Sequence, residues 1–289
     1  MAKFLISAFA DEACDALEGQ IKALHRNGLH CIEPRSMSGN VIKKNDEELY
    51  AIRAQLDAAG ITVPSLGSPI GKFEITEDFD LHLAEFERAL RACEILGTKR
   101  MRIFSFFVKQ DQLAQYRDEV MRRMTVLLER ADKAGVTLCH ENESHIYGQN
   151  PAEVKDLLDT LPGLRGIFDA ANYVRHDQDP IKGFEATADK LEYIHVKDAL
   201  FSDHSMIAAG EGNGQYKEIL SRVDRMTDRT IVLTVEPHLY LFDAYKKIDK
   251  LELKHNRVFN TSDDAFDYAV SALKKLLAEI GHPIVNGEG

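Results

Sequence analysis

The 289-residue chain has no tryptophan, four cysteines, eight prolines and 18 glycines. It also has no apolar run approaching the ~18 residues that a membrane-spanning helix requires. Scarce glycine and proline, beside 44% hydrophobic and 29% charged residues, exclude collagen-like, low-complexity and disordered chains. Cys14, Cys31, Cys93 and Cys139 lie far apart, with no C-x-x-C pair and no dense framework, so a reducing cytoplasm is the expected location. Basic residues are outnumbered, 36 Lys and Arg against 47 Asp and Glu. The resulting net charge of −11 repels polyphosphate and argues against nucleic acid as a partner. No G-x-G-x-x-G follows the first apolar run, as a dinucleotide-binding doubly wound sheet would require. Phe4–Ala10 imitates a signal peptide down to its A-x-A ending but is too short for one, and it is expected to be a β-strand.

What the chain does contain is an alternation of short apolar runs with longer amphipathic ones. Eight short runs read as strands: Phe4–Ala8, His30–Pro34, Ile61–Leu66, Met101–Phe104, Val136–Glu141, Gly166–Asp169, Tyr193–Val196 and Ile231–Glu236. Most are continuously apolar, as strands covered on both faces must be. The intervening segments have helical period; Leu113, Tyr116, Val120, Met124, Leu127 and Ala131 recur at steps of three or four before Gly135. Eight such units in one chain without a Pro/Ser-rich linker predict an α/β fold, a single (β/α)8 TIM barrel over residues 1–289. A loop or extra helix is expected at about 241–261 and a C-terminal helix at about 262–280.

In such a barrel the carboxyl ends of the strands carry the chemistry. Four consecutive runs end in Glu141, Asp169, His195 and Glu236, which brings three carboxylates and an imidazole to one rim. Like charges converging there repel unless a cation or protons neutralise them. A divalent ion does so most directly, and this oxygen-rich donor set favours Mn²⁺, then Mg²⁺ or Co²⁺, with Zn²⁺ also open. The competing reading is that these acids cap helices or pair with rim arginines. His140 alternates with Glu141 and is expected to point away from the lumen.

Several pieces carry a resemblance: Glu141-Asn142, Phe168-Asp169-Ala170-Ala171-Asn172, Tyr193-Ile194-His195-Val196-Lys197-Asp198, Gly210-Glu211-Gly212 and Val235-Glu236-Pro237. Phe9-Ala10-Asp11-Glu12, Cys31-Ile32-Glu33-Pro34-Arg35 and Ser68-Pro69-Ile70-Gly71-Lys72 add to it in the N-terminal half. In their order the chain resembles the xylose isomerase-like TIM-barrel family of sugar phosphate isomerases and epimerases. The resemblance implies a divalent metal on Glu141, Asp169, His195 and Glu236. It further implies a proton transfer through a metal-stabilised ene-diolate, with Glu141 and Glu236 as the acid/base pair. Barrels of this family commonly pair, so a homo-oligomer is open.

Other residues are candidates for substrate contact. Glu33 and Arg35 lie two apart and are expected to share an orientation, bridging a substrate hydroxyl or pairing with each other. Lys72 is placed to meet an anionic substrate group or else stands in solvent. His145 and His238 follow two of the metal-site glutamates and are candidate bases or substrate contacts. Lys197, just beyond His195, is placed to orient the ligands or the substrate. The Gly210–Gly214 loop precedes a helix and is a weak candidate phosphate cradle.

Three functions follow. The first is a metal-dependent isomerase or epimerase of a sugar, sugar phosphate or keto-polyol. The second is a dehydratase or lyase that shares its first proton abstraction, acting on a keto-sugar, keto-inositol or dehydroshikimate-like substrate. The third is an endonuclease IV-like DNA repair nuclease, which needs three metals, further histidines on the early strands and a basic surface. Early runs ending in Ala8, Pro34, Leu66 and Phe104, together with the charge of −11, count against it. A binding barrel without chemistry fits poorly with an intact ligand set. The expected partner is a small carbohydrate, with no membrane and no nucleic acid.

Overall fold

The computed structural model describes residues 1–240, Lys254 and 257–283. The loop or helix expected at 241–261 therefore lies outside the described residues, apart from Lys254 and 257–261. The strands are β1 Lys3–Ala8, β2 Arg100–Ile103, β3 Thr137–Glu141, β4 Arg165–Asp169, β5 Leu191–Val196, β6 Asp198–Ala199, β7 Met206–Ile207 and β8 Thr230–Val235. The helices are α1 Leu17–Arg26, α2 Asp46–Ala58, α3 Phe79–Leu96, α4 Leu113–Lys133, α5 Pro151–Thr160, α6 Ala170–Val174, α7 Pro180–Thr187, α8 Tyr216–Met226 and α9 Ser262–Glu279. Their starts are where side chains can satisfy the free N–H groups of a first helical turn. Asn45 and Glu48 form a capping box on α2, Asn150 and Glu153 do the same on α5, and Thr261 caps α9.

Six strands form one parallel sheet in the order β1-β8-β5-β4-β3-β2. The two expected strands at 30–34 and 61–66 are not regular ladders, yet they close the ring. Glu33 N–H donates to Ala8 C=O, Ile32 N–H to Thr62 C=O, Gly67 N–H to Pro34 C=O, and Arg102 N–H to Leu66 C=O. The physical reason for the difference is in the residues: Pro34 and Pro64 have no N–H to give, so each segment supports single bridges rather than a ladder. The result is a (β/α)8 barrel in which two staves are extended but irregular. The small hairpin of β6 and β7 lies outside it.

Period two along the strands sorts side chains between the lumen and the helical layer. Cys139, Ile167, Tyr193 and Val232, with Leu5 beside them, form an apolar plug in the lumen. Glu141, Asp169, His195 and Thr234 stand two residues further along the same strands, and Glu236 two beyond Thr234. The lumen thus changes from apolar to charged within one side-chain layer. The alternate residues, among them Leu138, Phe168, Ile194, Leu233 and Val235, belong to the main core under the helices.

Candidate metal centre and active site

Each of the four residues carries its side chain inward for the same reason: it is in phase with the plug residue of its strand, two positions earlier for Glu141, Asp169 and His195 and four for Glu236. The donor atoms of Glu141, Asp169, His195 and Glu236 lie within 4.8 Å of one another, and all four residues are buried. His195 Nδ1 is 2.7 Å from Glu141 Oε1 and 3.8 Å from Glu236 Oε2. Its Nε2 is 3.3 Å from Glu33 Oε2. Asp169 Oδ1 accepts the Asn172 N–H at 3.1 Å and so caps α6. Asn142 brackets the Asp169 backbone, accepting its N–H at 3.0 Å and donating to its carbonyl at 2.9 Å.

A shell of cations surrounds the cluster. Arg35 Nη1 donates to Glu236 Oε1 at 2.8 Å, while its other nitrogens reach Asp11 at 2.9 and 3.0 Å and Glu12 at 3.3 Å. Arg102 Nη1 donates to Glu141 Oε2 at 3.3 Å. Lys197 Nζ lies 3.2 Å from Asp169 Oδ2 and 3.3 Å from Glu236 Oε2. The Phe9 ring packs between the two guanidinium groups, 4.3 Å from that of Arg35 and 4.9 Å from that of Arg102. The competing sequence reading is thus true in part, since Asp169 caps a helix and two of the glutamates hold arginines, but these contacts coexist with the convergence.

The electrostatics shows what the cluster lacks. Asp11, Glu12, Glu33, Glu141, Asp169 and Glu236 are six buried carboxylates facing Arg35, Arg102 and Lys197. Burial pushes Asp169 up to about 7 against the pull of Lys197, with Glu141 and Glu236 adding to the rise. Burial likewise pushes Glu12 up to about 8, Glu236 and Asp11 adding to it. His195 loses basicity by burial but gains more from Glu141 and Glu33, which carry it up to about 10. Glu236 goes the other way: Lys197, His238 and Arg35 outweigh burial and hold it well below the usual carboxylate range. Protons on Asp169, Glu12 and His195 supply positive charge that the cations do not. A divalent ion fits the same deficit, and the buried Asp169 Oδ2, which faces Lys197 Nζ at 3.2 Å but accepts no hydrogen bond of good geometry, keeps a lone pair for it.

The remaining sequence candidates divide. Glu33 and Arg35 do not share an orientation, which corrects that expectation. Glu33 oxygens accept from Tyr193 OH at 2.8 Å and Thr234 Oγ1 at 2.7 Å as well as facing His195, whereas Arg35 turns to Asp11, Glu12 and Glu236. The Pro34 between them lies where the ladder breaks down, so strand alternation no longer governs the pair. Lys72 is half-buried rather than standing in solvent: its Nζ meets Glu143 Oε2 at 3.0 Å and lies 4.6 Å from the Phe104 ring centre. His238 is buried, its backbone N–H donates to Glu12 Oε2 at 2.6 Å, and its ring Nε2 lies 3.7 Å from Glu236 Oε1. His145 is exposed at the rim beside His176, ring centres 6.1 Å apart. His140 faces the helical side, where Nε2 meets Ser105 Oγ at 2.8 Å; burial lowers it to about 3. The Gly210–Gly214 loop is not a free phosphate cradle. The N–H groups of Gly210, Gly212 and Gly214 all donate to the Asp198 carboxylate, at 3.0, 3.1 and 2.7 Å. A Cβ at Gly212 would stand 2.4 Å from Asp198 Oδ1, which explains the glycine there.

Sequence reasoning missed Asp11, Glu12, Asn142 and Asn172 as parts of the site. A signal was present: Asp11-Glu12 directly follow the first strand run, and the two asparagines sit one residue after Glu141 and three after Asp169.

Solved structures share this fold at low identity. The D-tagatose 3-epimerase-like protein superimposes with a TM-score of 0.71 at 12% identity, covering 96% of this chain and 98% of that one. The probable 3-DHS dehydratase AsbF from Bacillus anthracis, involved in petrobactin synthesis, gives 0.69 at 16%, covering 94% and 98%. The IOLI protein with a bound zinc atom gives 0.72 at 13%, covering 96% and 99%. No curated protein matches the sequence significantly. No helix among the described residues is long and apolar enough to cross a membrane. The xylose isomerase-like TIM barrel family model matches residues 21–254, and the chain belongs to that family.

Proposed function

We propose that the protein is a divalent-metal-dependent isomerase or epimerase of a carbohydrate, a sugar, sugar phosphate or keto-polyol, that relocates a proton at a carbon beside a carbonyl. The observation that carries this reading is the convergence of Glu141, Asp169, His195 and Glu236 donor atoms within 4.8 Å, in a buried pocket of excess carboxylate. These four residues would hold the ion, Mn²⁺ by the oxygen-rich, borderline-hard character of the set, although a structural neighbour carries zinc. Such an ion, when bound, supplies Lewis-acid polarisation of the carbonyl and stabilises charge developing on its oxygen.

The chain's own groups do the rest. Glu236, ionised under the influence of Lys197 and Arg35, takes the proton from carbon. Glu141, beside His195 Nδ1 and steadied by Arg102, delivers a second proton, drawn from solvent, to the substrate, and exchange with water restores both glutamates. Glu33 holds His195 by Nε2, which fixes the ring so that Nδ1 faces the cluster. The apolar plug of Cys139, Ile167, Tyr193 and Val232 keeps water from entering beneath. The four cysteines form no disulfide with one another, which agrees with a cytoplasmic setting. A dehydratase or lyase is the second reading, supported by the AsbF neighbour, because elimination begins with the same abstraction.

Elemental analysis of gently purified protein should find close to one divalent ion per chain. In D₂O the loaded protein should place deuterium at the carbon beside the carbonyl of a keto sugar; absence of both metal and exchange would reject the reading. Loss of a hydroxyl from the product, rather than its rearrangement, would select the lyase.

A further inference from the structure

Glu236 reaches beyond the four-residue cluster. Its Oε2 faces His195 Nδ1 at 3.8 Å and Lys197 Nζ at 3.3 Å, while its Oε1 turns to a second group of donors. There His238 Nε2 stands 3.7 Å from Glu236 Oε1 and 3.8 Å from Glu12 Oε1. All three residues are buried, and each offers a donor atom within 4.8 Å of the others. Atoms bonded to one ion at about 2.0–2.2 Å lie roughly 3–4 Å apart, so this is the spacing of a ligand set. The set is also held in place. Glu12 Oε2 accepts the His238 backbone N–H at 2.6 Å, which joins the segment after β1 to the one after β8 and leaves Oε1 on the imidazole side.

The cation at this second group is Arg35. Its Nη1 donates to Glu236 Oε1 at 2.8 Å and its Nη2 to Glu12 Oε1 at 3.3 Å, the same two oxygens that face His238. Its Nε and Nη2 also grip Asp11, at 2.9 and 3.0 Å, and the guanidinium lies 4.3 Å from the Phe9 ring centre. A guanidinium does not give up its proton in a protein, and this one is held through all three nitrogens. An ion entering beside it would meet a fixed positive charge at contact distance. A carboxylate with one oxygen in each of two donor groups has the placement of a bridge between paired ions, which stand about 3.5–4 Å apart in two-metal sites.

We propose that Glu12, Glu236 and His238 form a second cation seat, which Arg35 fills in place of a metal ion, so that the guanidinium limits the centre to one divalent ion per chain. This rests on the reading of Glu141, Asp169, His195 and Glu236 as the seat of the first ion. The consequence falls on Glu236. A second ion on Oε1 would hold both of its oxygens by coordination, whereas a guanidinium holds the same oxygen by a hydrogen bond and leaves the carboxylate able to take up a proton. Paired ions clamp the attacking and leaving oxygens of an in-line displacement; a single ion polarises a carbonyl. Arg35 is therefore a positioning residue that acts through Glu236 and keeps the centre suited to the second chemistry.

The test counts ions. After dialysis against excess Mn²⁺, elemental analysis should find about one ion per chain in wild type and about two in Arg35→Ala. Electron paramagnetic resonance should show two spin-coupled manganese ions in that variant and an isolated ion in wild type. Adding His238→Ala to Arg35→Ala should return the count to about one, because the second seat loses its imidazole. Arg35→Met, which keeps a long stem against Phe9 and carries no charge, supplies the count if Arg35→Ala does not fold. A second ion in wild type, a count unchanged from wild type in the folded Arg35 variant, or a second ion that survives His238→Ala overturns the proposal. The same counts separate the two levels of inference. No ion in wild type, with one in the Arg35 variant that depends on His238, keeps the second seat and rejects the metal-dependent isomerase. One ion in both proteins does the reverse.

Discussion

The two halves of the barrel do different work. On one side, β3, β4, β5 and β8 are parallel strands paired by ladders, and each carries a residue of the metal-ligating cluster at or next to its carboxyl end. On the other, the staves at 30–34 and 61–67 are held by scattered hydrogen bonds. That side contributes Glu33 and Arg35, which with Asp11, Glu12 and Arg102 set charge and orientation around the cluster. A regular ladder delivers ligands in phase because period two repeats without interruption. An irregular stave can aim neighbouring side chains in unrelated directions, as Glu33 and Arg35 do. Chemistry is therefore expected to fail when the regular half is altered, and stability when the irregular half is.

The largest effect should come from the regular half. Glu236→Gln and Glu141→Gln should each lower solvent-hydrogen exchange at the substrate carbon by roughly 10²–10⁴-fold, the usual contribution of a positioned acid or base. Deuterium uptake followed by NMR measures it, and full exchange in both variants would move proton transfer to other groups. Next is Arg35→Ala, which leaves Asp11, Glu12 and Glu236 without their shared cation. Removing one partner from a buried ion pair costs about 3–5 kcal/mol. Urea unfolding of the variant at pH 7 should show a loss of that size; a loss within the error of the measurement would mean that the irregular half is not what neutralises the site.

The smallest effect concerns His82, in the helical layer beside the irregular half. Its Nε2 accepts the Gly71 N–H at 3.1 Å and its ring stacks on Phe73. Burial, helped by the charge of Arg123, lowers it to about 4 from an ordinary value of 6.5. Because the folded value is the lower one, the unfolded chain takes up the proton first. The stability from this residue is complete above pH 6.5 and is lost as the pH falls toward 4. About 2 kcal/mol should be gone by pH 5. Urea midpoints at pH 8 and pH 5 should converge less in wild type than in His82→Gln, whose pH dependence lacks this share; identical pH dependence in the two proteins would show that the imidazole is not held neutral.

Much of the regular half was legible in the sequence because its signals are local. Apolar runs of strand length, each followed by an amphipathic segment, predict the barrel, and the residue that ends each run predicts the rim. His140 follows from alternation alone. The helix starts are similarly local, since Asn150-Pro151 with Glu153 carries its own cap. The irregular half was harder to read because alternation does not pass through Pro34 or Pro64. Nothing in the order Glu33-Pro34-Arg35 tells that one side chain goes to His195 and the other to Asp11. Lys72 is a similar case: it reads as a free cation until the fold sets Glu143, 71 residues away, against it.

By itself the sequence determined the layering, the barrel class and the identity of the residues on its rim, because strand and helix periods are properties of neighbouring residues. Only the tertiary structure decided how the charges combine. Which carboxylate keeps an arginine and which holds a proton depend on distances between segments remote in the chain, and Coulomb energy in a buried site changes steeply with those distances.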